Sequence, residues 1–165
     1  MKVSGRFVDK SIFVVIYTAV ALLVVMGAHR LTDYTLDLAF YQDYLVPWEV
    51  SLMAWRQKQI EWKTDDGHDP VAYMQDLVLR MQAKGLQPPQ SNTARAYVYR
   101  LNRFGAHARQ ILLVYKDSRI ILYGLPSSSF DRLDRFIDGR SDPQGGEFTG
   151  QWSADQVTRI AQWHI

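Results

Sequence analysis

Residues 11–28, SIFVVIYTAVALLVVMGA, hold no charged side chain and almost no polar one, and this run constrains everything after it. At about 1.5 Å rise per residue it crosses most of a hydrocarbon core about 30 Å thick as a helix. A helix satisfies its own backbone N–H and C=O groups, which lipid cannot do. The flanks give an orientation. Lys2, Arg6 and Lys10 precede the run, whereas Arg30 is followed by Asp33, Asp37 and Asp43. The basic excess places residues 1–10 in the cytoplasm as a leader and everything from His29 onward across the membrane. The expectation is a signal anchor in the cytoplasmic membrane, single-pass, with a periplasmic or extracellular C-terminal domain. A cleaved signal peptide ranks second: the basic start, the apolar stretch and the small Gly27 and Ala28 fit it. Met26 is a poor residue at the third position before such a cut, and the run is long for the purpose. A buried core helix ranks third.

Removing the anchor from 165 residues leaves enough chain for one small domain and too little for two cores. The count of Cys 0 excludes disulfides, thiolate nucleophiles and cysteine metal sites, so the domain stands on its packing. The net charge of +2 names no partner. An aromatic content of 13% points to large flat contact surfaces.

From Leu31 the apolar residues keep a seven-residue repeat: Leu31, Leu38, Leu45 and Leu52 at one position, and Tyr34, Tyr41, Trp48, Trp55 and Trp62 at the other. That pattern predicts a long amphipathic helix continuing the anchor. Residues 29–64 form this stalk, with a kink or a fresh start at Pro47, whose missing N–H and bulky ring disturb the preceding turn. Asp69 before Pro70 predicts an N-cap for a second helix with Val71, Met74, Leu77, Val78 and Met81 on one face and a stop at Gly85. Alternating Tyr- and Val-rich segments at 95–103, 111–115 and 120–123 read as antiparallel strands joined by short turns. Ser127, Ser128 and Ser129 are expected to cap a helix over 130–138 ended by Gly139. Segments 148–152 and 157–165 fit a hairpin, in preference to a capped helix starting at Ser153. The fold class is therefore α+β: a transmembrane helix, an amphipathic continuation, a second helix and a small antiparallel sheet in an extracytoplasmic domain over 65–165.

Candidate sites are few. Asp65, Asp66, His68 and Asp69 bring metal donors together, but turn and N-cap chemistry accounts for them, and no metal or cofactor is expected. The serines lack the flanking glycines of a nucleophile elbow, and no acid, base and nucleophile converge, so a non-enzymatic role is expected. Arg100, Arg103 and Arg109, interleaved with tyrosines, are the candidates for an anionic ligand. Arginines rimming a sheet explain them as well, and nucleic acid is disfavoured outside the cell.

The outline resembles a type IV pilin or pseudopilin: a basic leader, an apolar helix running into an amphipathic one, a connecting segment, then an antiparallel sheet. The resemblance implies a leader cut after Gly5 and a helix that packs in a filament core. Gly5 is followed by Arg6, Phe7, Val8, Asp9 and Lys10; Lys10 occupies the place of the family's glutamate. The functional expectation is an envelope assembly or structural subunit, with an extracytoplasmic binding or sensor domain as the alternative. Its partners are membrane lipid and protein helices met along the anchor and stalk, with a homo-oligomer among the options. Residues after Pro47 should turn Trp48, Leu52, Trp55 and Trp62 onto the sheet, leaving Leu31, Tyr34, Leu38 and Tyr41 to a partner.

Overall fold

In the computed structural model, residues 5–58, 69–103 and 105–165 are described. The expected turn at 65–68, the end of the stalk, Trp62 and Phe104 lie outside them. The chain divides into two compact units, Met1–Thr35 and Leu36–Ile165.

The first unit belongs to α1 (Gly5–Ala39). The apolar stretch beginning at Ser11 has the length and composition of a membrane span, and none of it is buried. Thr18, a polar residue inside that stretch, donates its hydroxyl to the Val14 carbonyl at 2.8 Å, and Thr32 does the same to Ala28 at 2.9 Å. Folded back on their own helix, these hydroxyls add no unsatisfied polar group to its surface.

Helical hydrogen bonding does not stop at Ala39. A π-helical segment, Phe40–Leu45, leads into α2 (Val46–Gln57). Pro47 therefore does not break the helix: Leu45 and Val46 keep helical dihedrals, and the Val46 N–H reaches the Tyr41 carbonyl five residues back. The wider turn absorbs the residue without an N–H. It also explains a correction. A π turn holds one residue more than an α turn, so upstream of it the buried line moves one position along. Downstream, Trp48, Leu52 and Trp55 are buried as expected, with Leu45 in line with them; toward the N-terminus, the fully buried residues are Phe40 and Asp37, not Tyr41 and Leu38. The compact unit accordingly begins at Leu36, well before residue 65, because Phe40, Tyr44 and the tryptophans supply much of its core.

α3 (Pro70–Ala83) starts as its sequence requires: Asp69 Oδ1 accepts from the N–H of Val71 at 2.9 Å and of Ala72 at 3.2 Å. Its buried face is Met74, Leu77 and Met81. The strands are β1 (Val98–Arg103), β2 (Ala106–Lys116), β3 (Arg119–Pro126), β4 (Phe148–Trp152) and β5 (Thr158–His164), with α4 (Ser127–Asp138) between β3 and β4. They form one antiparallel sheet in the order β1-β2-β3-β5-β4. Tyr99, Ile111, Leu113, Tyr115, Ile120, Leu122, Ala161, Trp163 and Phe148 share the core face through this register, and all but half-buried Tyr99 are buried. Phe40 meets Tyr99 at 4.8 Å between ring centroids, and Phe130 of α4 stacks on Phe148 at 5.1 Å. Gly124 sits in a register shift of β3 with φ +81, and a Cβ there would meet the Gln110 carbonyl at 3.0 Å, so both conformation and space call for glycine. The C-terminal hairpin is present as β4 and β5.

Each sheet edge is partly occupied by the domain itself. On β1, Asn92 accepts from the Arg100 N–H at 2.8 Å and donates to its carbonyl at 2.7 Å, while Ser91 and Thr93 hydroxyls donate to the Val98 carbonyl. On β4, Glu147 and Ser153 bond toward β5, which turns Phe148, Gly150 and Trp152 outward. The Phe148 N–H goes to Asp138 at 3.0 Å and that of Gly150 to the Pro143 carbonyl at 2.9 Å.

Candidate functional site

The strongest polar constellation in the second unit joins three elements. Asp37, near the end of α1, is fully buried. One of its carboxylate oxygens accepts from Arg103 Nη2 at the end of β1, and the other from Arg132 Nη1 of α4. The same Arg103 nitrogen bonds Ser129 Oγ, itself buried. Each carboxylate oxygen thus has its own guanidinium, the charge-assisted arrangement that is both strong and directional. The Arg103 side chain is only 9% exposed and that of Arg132 24%. One carboxylate against two guanidiniums leaves a positive excess, so the cluster contributes position more than net stability. It ties the turn around Asp37 to β1 and α4 within the second unit.

This places Arg103 in a different setting from the other two arginine candidates. Arg100 is exposed on the sheet face away from the core, opposite Gln110. Arg109 is exposed opposite Leu101 on the other face, and its charge helps the N–H groups of Thr158 and Val157 hold the Asp155 carboxyl below its usual range. The three do not converge on one surface. Arg103 is a half-buried residue tied to Asp37 and Ser129 and not part of an exposed rim.

Of the four helix candidates, Leu31 is 65% and Tyr34 44% exposed in the first unit. Leu38 is half-buried. Tyr41 packs in the second unit on Phe136 at 5.8 Å and Trp163 at 6.2 Å; it belongs to the domain, because the π turn brings its neighbour Phe40 onto the core line. Tyr44 and Trp48 both donate to the Ala96 carbonyl, at 3.0 and 3.3 Å, and burial pushes the Tyr44 phenol far up. The serine cap also needs correcting. α4 begins at Ser127 with no side-chain cap; Ser127 Oγ instead meets Arg159 Nε at 3.4 Å, and Arg159 lies over the rings of Phe130 at 4.7 Å and Trp152 at 4.5 Å. Among the described residues no three His, Asp or Glu gather as metal ligands.

Sequence reasoning missed Asp37, Ser129 and Arg132. A lone acid beside an apolar seam was the available sign for Asp37, but its partners lie 66 and 95 residues away. No known protein family matches the chain, and no curated protein or solved structure is detectably similar to it.

Proposed function

We propose that this chain is a single-pass, membrane-anchored subunit of a cell-envelope assembly, with its N-terminus in the cytoplasm and its α+β domain outside, where it packs against other subunits. One observation carries the reading: the apolar stretch of α1 buries none of its side chains in the chain itself, while the same run of helical turns goes on to supply the core of the second unit. A helix so apolar needs a solvent other than water, and lipid or partner helices provide it. Leu31 and Tyr34, outside the domain core, are the side chains offered to a partner. A pilin-like filament subunit is one version, and a homo-oligomer is its simplest assembly.

Carbonate extraction of cell membranes tests the anchor. The wild-type chain should stay in the pellet. Val20→Arg, which sets a cation near the middle of the span at about 2.5 to 3.5 kcal/mol on insertion scales, should lose insertion. Wild-type protein in the soluble fraction overturns the reading. Intact mass separates the versions: full length fits a signal anchor, and loss of the residues through Gly5 fits a pilin-like subunit.

The alternative, an extracytoplasmic binding or sensor domain, draws support from a cleft lined by Pro143, Gln144, Thr149, Gly150, Gln151 and Gln162 and not from the dispersed arginines.

A further inference from the structure

The loop between α4 and β4 is held by two carboxylates one helical turn apart. Asp134, fully buried, accepts from the Asp142 N–H at 2.7 Å. Asp138 accepts from the N–H groups of Glu147 and Phe148, each at 3.0 Å. Gln144 donates its N–H to Asp142 at 3.3 Å, and the Gly150 N–H ties the loop to β4 through Pro143. So fixed, Pro143 and Gln144 stand beside the sheet face that the core does not use. With Thr149, Gly150, Gln151 and Gln162 they line a cleft of about 260 Å³. Gln162 pairs with Thr149 across β4 and β5, and its Oε1 accepts from Arg119 at 3.2 Å, which leaves its NH₂ group to donate. Tyr123 is exposed on the same face, two residues along β3 from Ile121, the partner of Gln162.

We propose that this cleft binds a neutral saccharide. Its polar side chains are three primary amides and a hydroxyl; Gln162 offers its NH₂ group, and the other three both donate and accept, as sugar hydroxyls do. No lining side chain carries a formal charge, and the nearest guanidinium, that of Arg119, is already engaged by Gln162 Oε1, so the lining itself offers a phosphate or carboxylate no counterion. An apolar ligand would strand those four groups without partners. An extended peptide, which would add to the edge of β4, finds the N–H groups of Phe148 and Gly150 already taken. The volume falls just under the roughly 300 to 1,000 Å³ of drug-sized sites, room for a sugar ring, and exposed Tyr123 on the same face offers an aromatic surface to an adjoining one. The preorganised loop removes part of the ordering cost of binding. The inference holds whether or not the chain is anchored.

The test uses the full chain, labelled with ¹⁵N, in amine-oxide micelles that carry no sugar headgroup. The side-chain NH₂ signals of Gln144, Gln151 and Gln162, assigned by single Gln→Ala variants, are followed during titration with maltotriose, chitotriose, N-acetyl-trialanine amide and inorganic phosphate. One of the trisaccharides should shift all three amides saturably, with Kd on the order of 1 mM. A Gln151→Ala, Gln162→Ala variant with an unchanged backbone spectrum should bind at least tenfold more weakly; if that pair disturbs the fold, Gln144→Ala on the loop should show the same loss. Silence of the three amides toward both trisaccharides overturns the proposal. So does a response to the peptide or phosphate in place of the sugars.

Discussion

Asp37→Ala is the sharpest probe of how the domain is held together. The substitution removes one carboxylate and leaves two cations facing each other. Their fates differ. Arg132, with a 24% exposed side chain, can swing to water, whereas Arg103, at 9%, is enclosed beside Ser129 and cannot reach water as easily. Removing one partner of a buried pair costs about 3 to 5 kcal/mol because the remaining charge is uncompensated, and here most of that cost falls on Arg103. Against a total stability of about 5 to 15 kcal/mol such a loss brings the domain close to unfolding. Urea denaturation of the full chain in micelles, read by the fluorescence of buried Trp48, Trp55 and Trp163, measures it. The origin of the loss is checked by Asp37→Ala combined with Arg103→Met, which removes the stranded charge and should recover a large share. Raising the salt concentration should change the wild-type value little, since buried pairs are poorly screened. A loss within about 0.5 kcal/mol, the range of an exposed surface site, or a double variant no better than the single one, would refute the reasoning.

Burial raises the Asp134 carboxyl, and the neighbouring Asp138 adds to the effect against the Asp142 N–H that lowers it. A carboxyl raised in the folded state favours folding while protonated and loses that contribution as pH rises through its folded pKa. Asp134→Asn keeps an acceptor for Asp142 and a donor toward Asp138, so it should stabilise the domain at pH 7 and show no advantage near pH 3; thermal unfolding at both pH values decides. Gly150→Ala would push a Cβ into the Phe130 ring, which is fixed between Phe148 and Arg159, at about 1 to 3 kcal/mol for overpacking, read as a lower urea midpoint. Arg100→Ala and Arg109→Ala should each stay within about 0.5 kcal/mol of wild type in the same assay, whereas Arg103→Ala should not.

Much of the architecture was legible because its causes are local. Alternation in β1 to β3, the Asp69 and Pro70 pair before α3, and Gly139 after α4 each report short-range chemistry that tertiary structure had no reason to override. The aromatic repeat after Pro47 was likewise sufficient to place Trp48, Leu52 and Trp55 in the core. The phase of the helix before it was not legible. A π turn has no composition of its own, and Pro47 signals a disturbed helix without saying whether it bends, stops or widens. That single extra residue is why Asp37 and Phe40 are fully buried while Leu38 and Tyr41 are only half-buried. The ion cluster and the amide cleft were hidden for a different reason: each is assembled from side chains on separate elements, and nothing in linear spacing announces that Asp37 meets Arg132 or that Gln144 and Gln162 line one cleft.

The self-occupied sheet edges acquire another meaning if the chain lives on a membrane. Copies confined to a surface meet far more often than copies free in solution, as tethering always raises effective concentration, and a bare strand edge under those conditions is a template for runaway stacking. Asn92 on one side, and Asp138 with Pro143 on the other, act as chaperones built into the sequence. With those groups engaged, a second copy finds fewer free partners along either edge.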